Sequence, residues 1–560
     1  MYGWMIGKNM ELEHAADWKE EKREGYQYAA RLLGKFPGDI VNAVSPIQDC
    51  FLDGYVGNKG ELVRESKAKT WESAFARLCG TGSPFAALRG SFGGFVVCRA
   101  PDGDKVTLYT DHMGSKAVYY YQDATRLAAS SDLGSLAKTL RKNGIACHLD
   151  ENAVRYMLTY GFMVDDTTFI REVKRVLPGQ SIIWKGGTAE KVTYYLFDNT
   201  ATENWSREEA IEQIDAAFRQ AIRREFEKDR EYGYRHLVDL SGGLDSRMVC
   251  WVAHELGYTD QVNFTYCRSN YLDHAISEKI AMDLKHEYLF KPLDDAQWLY
   301  DIDEIVQKNN GAALYHGITG GKRFLSLLNP GMFGIEHTGM VGDVIPSSFY
   351  GEERTAYGKP AFGMHQYSNR LHYDFDPGIL SRFPNQEIFA LYVRGLLGAA
   401  SSYIIRQNYF ETGSAFLDVD FLNTCLKMPF SYRAKHSIYL DWIEKKYPQA
   451  AEYGWEKWGG VKPKKSHIKY RRVVTSVRLA DHFVKKLLGK PQQDNMNPLD
   501  YWYGQDKRLQ EYYQEYFDRN IGKTQVSDDL RKDMERLFRE GNASEKGMVL
   551  TILGAVKNYL

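Results

Sequence analysis

The chain has 560 residues, more than one hydrophobic core ordinarily supports, so two or three domains are expected. Its 72 lysines and arginines against 73 aspartates and glutamates leave a formal charge of -1, which gives no global attraction for nucleic acid or anionic lipid. The opening Met-Tyr-Gly-Trp-Met-Ile-Gly-Lys-Asn soon meets Glu11 and Glu13, short of a signal peptide, and no uncharged run nears the roughly eighteen residues of a membrane span. Seven scattered cysteines without a Cys-x-x-Cys pair read as reduced thiols. A cytoplasmic protein with no nucleic-acid and no membrane partner is predicted.

The first 200 residues read as short strands broken by turns. Beta-prone runs at 92–98 and 105–110 flank Pro101-Asp102-Gly103-Asp104, a hairpin signal, and Val118-Tyr119-Tyr120-Tyr121 and Ser181-Ile182-Ile183-Trp184 continue the pattern. A polar stretch at 199–205 marks a boundary between a first domain, 1–200, and a second, 206–560. There Ser206-Arg207-Glu208-Glu209 supplies an N-cap and capping box for a helix to about residue 228. Strand-like 261–266, helical 273–284 and strand-like 286–290 follow, and the last 160 or so residues are largely helical in pattern. Strands alternating with helices predict a doubly wound parallel sheet whose ligands sit at the carboxyl ends of the strands.

Between the first strand and helix of that sheet stands Ser241-Gly242-Gly243-Leu244-Asp245-Ser246, after the mainly apolar Leu237-Val238-Asp239-Leu240. Paired glycines let the backbone turn its amides toward an anion, and the following helix adds the positive end of its dipole. Asp245 can hold a magnesium ion against phosphates. A plain glycine-rich turn is the competing reading of the six residues alone.

No Gly-Lys-Ser/Thr closes this loop, so it is not a Walker loop. It resembles the loop of the ATP pyrophosphatase superfamily, in the spelling of its asparagine synthetase branch. In the first domain, Leu88-Arg89-Gly90-Ser91-Phe92-Gly93-Gly94-Phe95 resembles that family's LRGMFAFA strand. The segments at 110–120, 130–136 and 173–180 resemble its ARDRLGIKPLYY, ASELKAL and IRKLPPGH. The resemblance implies a class II glutamine amidotransferase-like domain, an α+β N-terminal-nucleophile sandwich. An α/β ATP pyrophosphatase domain with a helical C-terminal part would follow it.

The glutaminase chemistry is expected to be lost. The family carries cysteine after the initiator methionine, where this chain has Tyr2, and a phenol is a far poorer acyl acceptor than a thiolate. The family's NGEIYN, which helps stabilise the oxyanion, is replaced by Asp53-Gly54-Tyr55-Val56-Gly57-Asn58, whose leading carboxylate repels a developing negative charge.

In the second domain, Thr338-Gly339-Met340-Val341-Gly342-Asp343 resembles the family's SGEGSDE pyrophosphate loop, with Asp343 as the second magnesium ligand. Met340 replaces the glutamate of asparagine synthetases and the tyrosine of β-lactam synthetases, predicting an apolar wall in a changed acceptor pocket. Gly413 stands where the family has arginine, and the nearby acids Glu411 and Asp418 are expected to be structural rather than catalytic. Lys457, near the family's R-x-K-x-G lysine, is the first choice for a cation over the phosphates, and Lys462 the second. The basic run at 462–472 is expected to be a solvated face or a lid.

The resemblance thus implies an AMP-forming amide ligase with ATP as co-substrate and Mg2+, acting on small-molecule or peptide carboxylates and amines, with a homodimer among the oligomeric states it allows. Leu240 and Phe264 would lie against the nucleotide, Ser241, Gly242, Gly243, Asp245, Ser246 and Gly339 would hold the pyrophosphate, and Asp245 and Asp343 the metal. An ammonia-using asparagine synthetase and an ATP-binding pseudoenzyme are the alternatives. Acceptor specificity is expected in residues 309–329 and 346–410.

Overall fold

The computed structural model describes residues 2–80, 84–101, 103–317, 324–488 and 495–560. Met1, Asp102 of the expected hairpin turn and residues 318–323 of the expected acceptor region lie outside the described residues.

Two six-stranded antiparallel sheets stack in the first part of the chain. One runs Lys174–Arg175, Tyr119–Gln122, Leu127–Ser130, Gly3–Lys8, Tyr26–Arg31, Lys19–Arg23. The other runs Thr188–Thr193, Gln180–Lys185, Lys105–Thr110, Gly90–Cys98, Gln48–Val56, Val41–Val44. The expected hairpin is present, with Gly90–Cys98 paired to Lys105–Thr110. Alternation sends Trp4, Ile6, Phe51, Phe95, Leu108 and Ile182 into the layer between the sheets, where Phe51 and Phe95 stack at 5.0 Å. The outer face of the second sheet is covered by helix Trp71–Cys79, which buries Trp71, Ala74 and Phe75.

A five-stranded parallel sheet follows, in the order Glu287–Pro292, Gln261–Cys267, Arg235–Asp239, Phe333–His337, Glu411–Gly413. Its first strand in sequence lies in the middle, so the chain builds outward to one side and then to the other. The crevice where the order reverses lies between the carboxyl ends of Arg235–Asp239 and Phe333–His337. Helix Arg207–Glu231 packs beneath, opened by the capping box of Ser206 and Glu209.

The C-terminal helices do not belong to the second core alone. Helices Lys507–Ile521, Asp528–Glu540 and Ala543–Tyr559 share one buried cluster with Met5, Leu136 and Met157 of the first domain. That shared core cuts across the boundary drawn at 206. Among the described residues, one helix, Gln386–Arg406, has the length and apolar composition to cross a membrane, and it is mostly buried.

Candidate functional site

Residues 240–246 leave the central strand at the crevice and turn into helix Asp245–Glu255. The turn closes on itself: the Ser241 amide donates to Ser246 Oγ at 2.9 Å, and the Gly243 amide to Ser241 Oγ at 3.1 Å. The Gly242 amide donates to the carboxylate of Asp273 at 2.8 Å. Arg247, fully buried, donates to the carbonyls of Gly242, Ala450, Tyr453 and Gly454, tying the loop to the segment that carries Lys457.

Adjacency of strands brings a second loop, residues 338–343, against the first although 98 positions separate Asp245 from Asp343. The Asp343 amide donates to Asp245 Oδ2 at 2.9 Å, and the hydroxyl of Tyr439 donates to Asp245 Oδ1 at 2.8 Å. The two loops touch where both lack side chains. A Cβ on Gly339 would lie 2.3 Å from the Ser246 nitrogen, and one on Gly342 would lie 2.6 Å from Asp245 Cγ. Between them Val341 holds φ 64°, a strained conformation for a β-branched residue.

Burial, and after it the charge of Asp343, push the Asp245 carboxyl up to about 8. Lys457 answers from the open side, with Nζ 3.1 Å from Asp343 Oδ2 and 3.3 Å from His436 Nε2. Two carboxylates facing one half-exposed lysine form a set of hard oxygen donors short of positive charge, which fits a divalent cation such as magnesium. Lys462 points elsewhere, paired with Glu452 at 2.7 Å.

A cavity of about 270 Å³ opens beside Asp343. Its walls are largely apolar, from Phe162, Leu314, Val341, Val344, Phe349 and Ile405. Helix Gln386–Arg406 widens to a π-helix over Leu391–Gly398, and this stretch presents Arg394, Gly395 and Gly398 to the cavity. Arg394 makes no side-chain hydrogen bond or ion pair among the described residues, and the lining Ser402 keeps a buried Oγ without a partner.

Two expected placements differ. Leu240 and Phe264 form no common wall: neighbouring strands point them to opposite faces of the sheet, Leu240 toward Met248 and Phe264 beneath Phe324, with centroids 4.5 Å apart. Met340, expected to wall the acceptor pocket, instead packs onto the core around Leu240, and Val341 reaches the cavity.

In the first domain, Tyr2 and Asp53 do line one cavity, of about 60 Å³. Tyr2 is 38% exposed, with the Arg31 guanidinium 4.9 Å from its ring. Gly54 takes φ +119°, and a Cβ there would lie 2.0 Å from the Ser91 carbonyl. Asp53 faces Lys116 at 3.8 Å, and Lys116 donates to Glu411 at 2.9 Å across the domain boundary. Burial disfavours the Lys116 charge, but the two carboxylates outweigh it and raise its pKa. Asp418 caps helix Val419–Leu426 and pairs with Arg224 at 2.7 Å.

Sequence reasoning missed Asp273, Arg247, His436, Tyr439, Arg394 and Ser402. Asp273 lies in the first turn of helix Leu272–Asp283, which follows the strand next to the loop, on the side where the doubly wound rule places ligands. The others carry no motif and are recruited by packing alone.

A family model for a glutamine amidotransferase domain matches residues 76–195. No curated protein sequence matches the chain. Among solved structures, it is similar to an allosteric regulatory enzyme of purine biosynthesis, at 8% identity and a TM-score of 0.23, covering 52% of this chain and 74% of that one. It is also similar to the glutamine phosphoribosylpyrophosphate amidotransferase from B. subtilis complexed with ADP and GMP, at 9% identity and a TM-score of 0.24, covering 52% and 84%. The matched family spans strands of the second antiparallel sheet and the helices behind the first, so the chain carries a domain of glutamine amidotransferase type.

Proposed function

We propose that the chain is an AMP-forming amide ligase of the asparagine synthetase superfamily, whose amidotransferase-type domain has become a scaffold. The observation that carries this reading is the meeting of Asp245, Asp343 and Lys457 at the crevice of the parallel sheet.

In this reading the β and γ phosphates of ATP lie at the positive end of helix Asp245–Glu255, within reach of the hydroxyls of Ser241 and Ser246. Asp245 and Asp343 would hold magnesium, which supplies positive charge against the departing pyrophosphate. The substrate enters the cavity beside Asp343, with its apolar body on Phe162, Leu314 and Phe349 and an anionic group on Arg394. A carboxylate oxygen attacks the α phosphorus, and the bond to the β phosphate breaks with its electrons leaving on pyrophosphate. An amine then attacks the acyl carbon, expels AMP and loses one proton. Lys457 stabilises the charge on the phosphates, and Tyr439 orients Asp245.

Purified protein given labelled ATP, magnesium and a panel of small apolar carboxylates is expected to release AMP and pyrophosphate with at least one of them. Absence of both products across the panel, with ATP still bound, overturns the ligase reading in favour of a non-catalytic ATP-binding module.

A further inference from the structure

Beyond the cleft, helix Ile468–Leu487 stands out from the body of the protein. Its inner edge is fastened: Ile468 and Val474 pack on the core beneath the loop, and the Arg471 guanidinium lies 4.9 Å from the Trp458 ring. The rest is open. Tyr470, Val473, Val477, Leu479, Phe483, Val484, Leu487 and the adjoining Leu488 are each between 50% and 71% exposed.

These residues are ordered. Tyr470, Val473, Val477, Val484 and Leu487 recur at spacings of three, four or seven, which places them on one stripe of the helix. In sequence the helix holds six lysines and arginines, the exposed Lys469 and Arg472 among them, against the single acid Asp481. An apolar stripe of this spacing suits a second copy of the helix as well as a lipid surface. The charge decides between them: pairing two copies would bring two strongly cationic helices together, whereas an anionic surface neutralises that charge while the stripe enters the acyl region.

We propose that helix Ile468–Leu487 is an interfacial helix that docks the protein on an anionic lipid bilayer. Its inner edge lies against Trp458, next in sequence to Lys457. The near-zero charge of the whole chain conceals this local surplus. The inference does not depend on the ligase reading.

The test is sedimentation of the full chain with vesicles of phosphatidylcholine alone or of equimolar phosphatidylcholine and phosphatidylserine. Binding is expected with the anionic vesicles, to fall at high salt, and to drop at least about tenfold in V477D/V484D. R472E, which leaves the stripe intact, should weaken binding to anionic vesicles specifically. Equal recovery with both vesicle types, or V477D/V484D binding as well as the parent chain, overturns the proposal. So does concentration-dependent dimerisation without lipid that V477D/V484D abolishes, which would assign the stripe to a second copy.

Discussion

The two acidic sites of the molecule are built from the same groups and finished differently. Around Asp53 the protein supplies its own cation: Lys116 is buried between Asp53 and Glu411, and the charges close on themselves. Around Asp245 the acids meet each other, and the single facing lysine, Lys457, is half exposed. A closed ion cluster satisfies its own charges, whereas an open one keeps oxygen donors that a divalent cation can use.

The sharpest way to break this contrast is Asp245→Asn. Pyrophosphate release is expected to fall by at least about 10³-fold while the circular dichroism spectrum stays unchanged. Retained turnover would overturn the proposed metal role of Asp245. The converse change, Lys116→Met, leaves two buried carboxylates without their cation and should cost about 3–5 kcal/mol in urea denaturation, with the ATP site bound as before once folded. Lys457→Ala lies between the two regimes. Roughly 10²-fold slower pyrophosphate release, with little loss of stability, is expected because the lysine is exposed.

A third acidic cluster gives a pH test. His337, buried between Asp229 and Glu225, is raised to about 9; burial opposes its charge most, and Asp229 and Glu225 together outweigh burial. Because the folded pKa lies above the unfolded value near 6.5, its stabilisation is complete below that value and is lost as pH rises through about 9. Thermal unfolding should show a loss of about 1–3 kcal/mol across that window, and His337→Gln should flatten it. The smallest effect belongs to Tyr2→Phe, which should leave glutamate release from labelled glutamine at background, as in the parent chain.

How much of this could be read in the sequence depended on whether a neighbour in the chain or a neighbour in space defines the feature. The loop at 241–246, the capping box at Ser206 and the hairpin at 90–110 are set by local backbone demands, and they formed where the residues indicated. Asp343 was legible through its resemblance to a known loop, and strand order then set it beside Asp245. Tyr439 lies in helix Ser437–Lys446 and His436 just before it in a left-handed turn, and only packing against the two loops gives them a role. Phe264 illustrates the opposite failure. It ends near the right strand edge, but the two-residue period of the strand turns its ring away from Leu240 and under Phe324. Of helix Ile468–Leu487 only the start was legible, in the basic run at 462–472, and its apolar stripe stays exposed because nothing among the described residues covers it, which periodicity alone does not reveal.

The bare contact of Gly339 and Gly342 with the start of helix Asp245–Glu255 divides the protein into parts with different freedom to diverge. One added methyl group at either glycine would wedge the loops apart and separate the acids, so these positions admit almost no variation. The cavity walls on helix Gln386–Arg406 carry no such restriction, because their side chains face open space rather than backbone. Changes can therefore accumulate in the cavity walls by small steps while the contact of the two loops stays as it is.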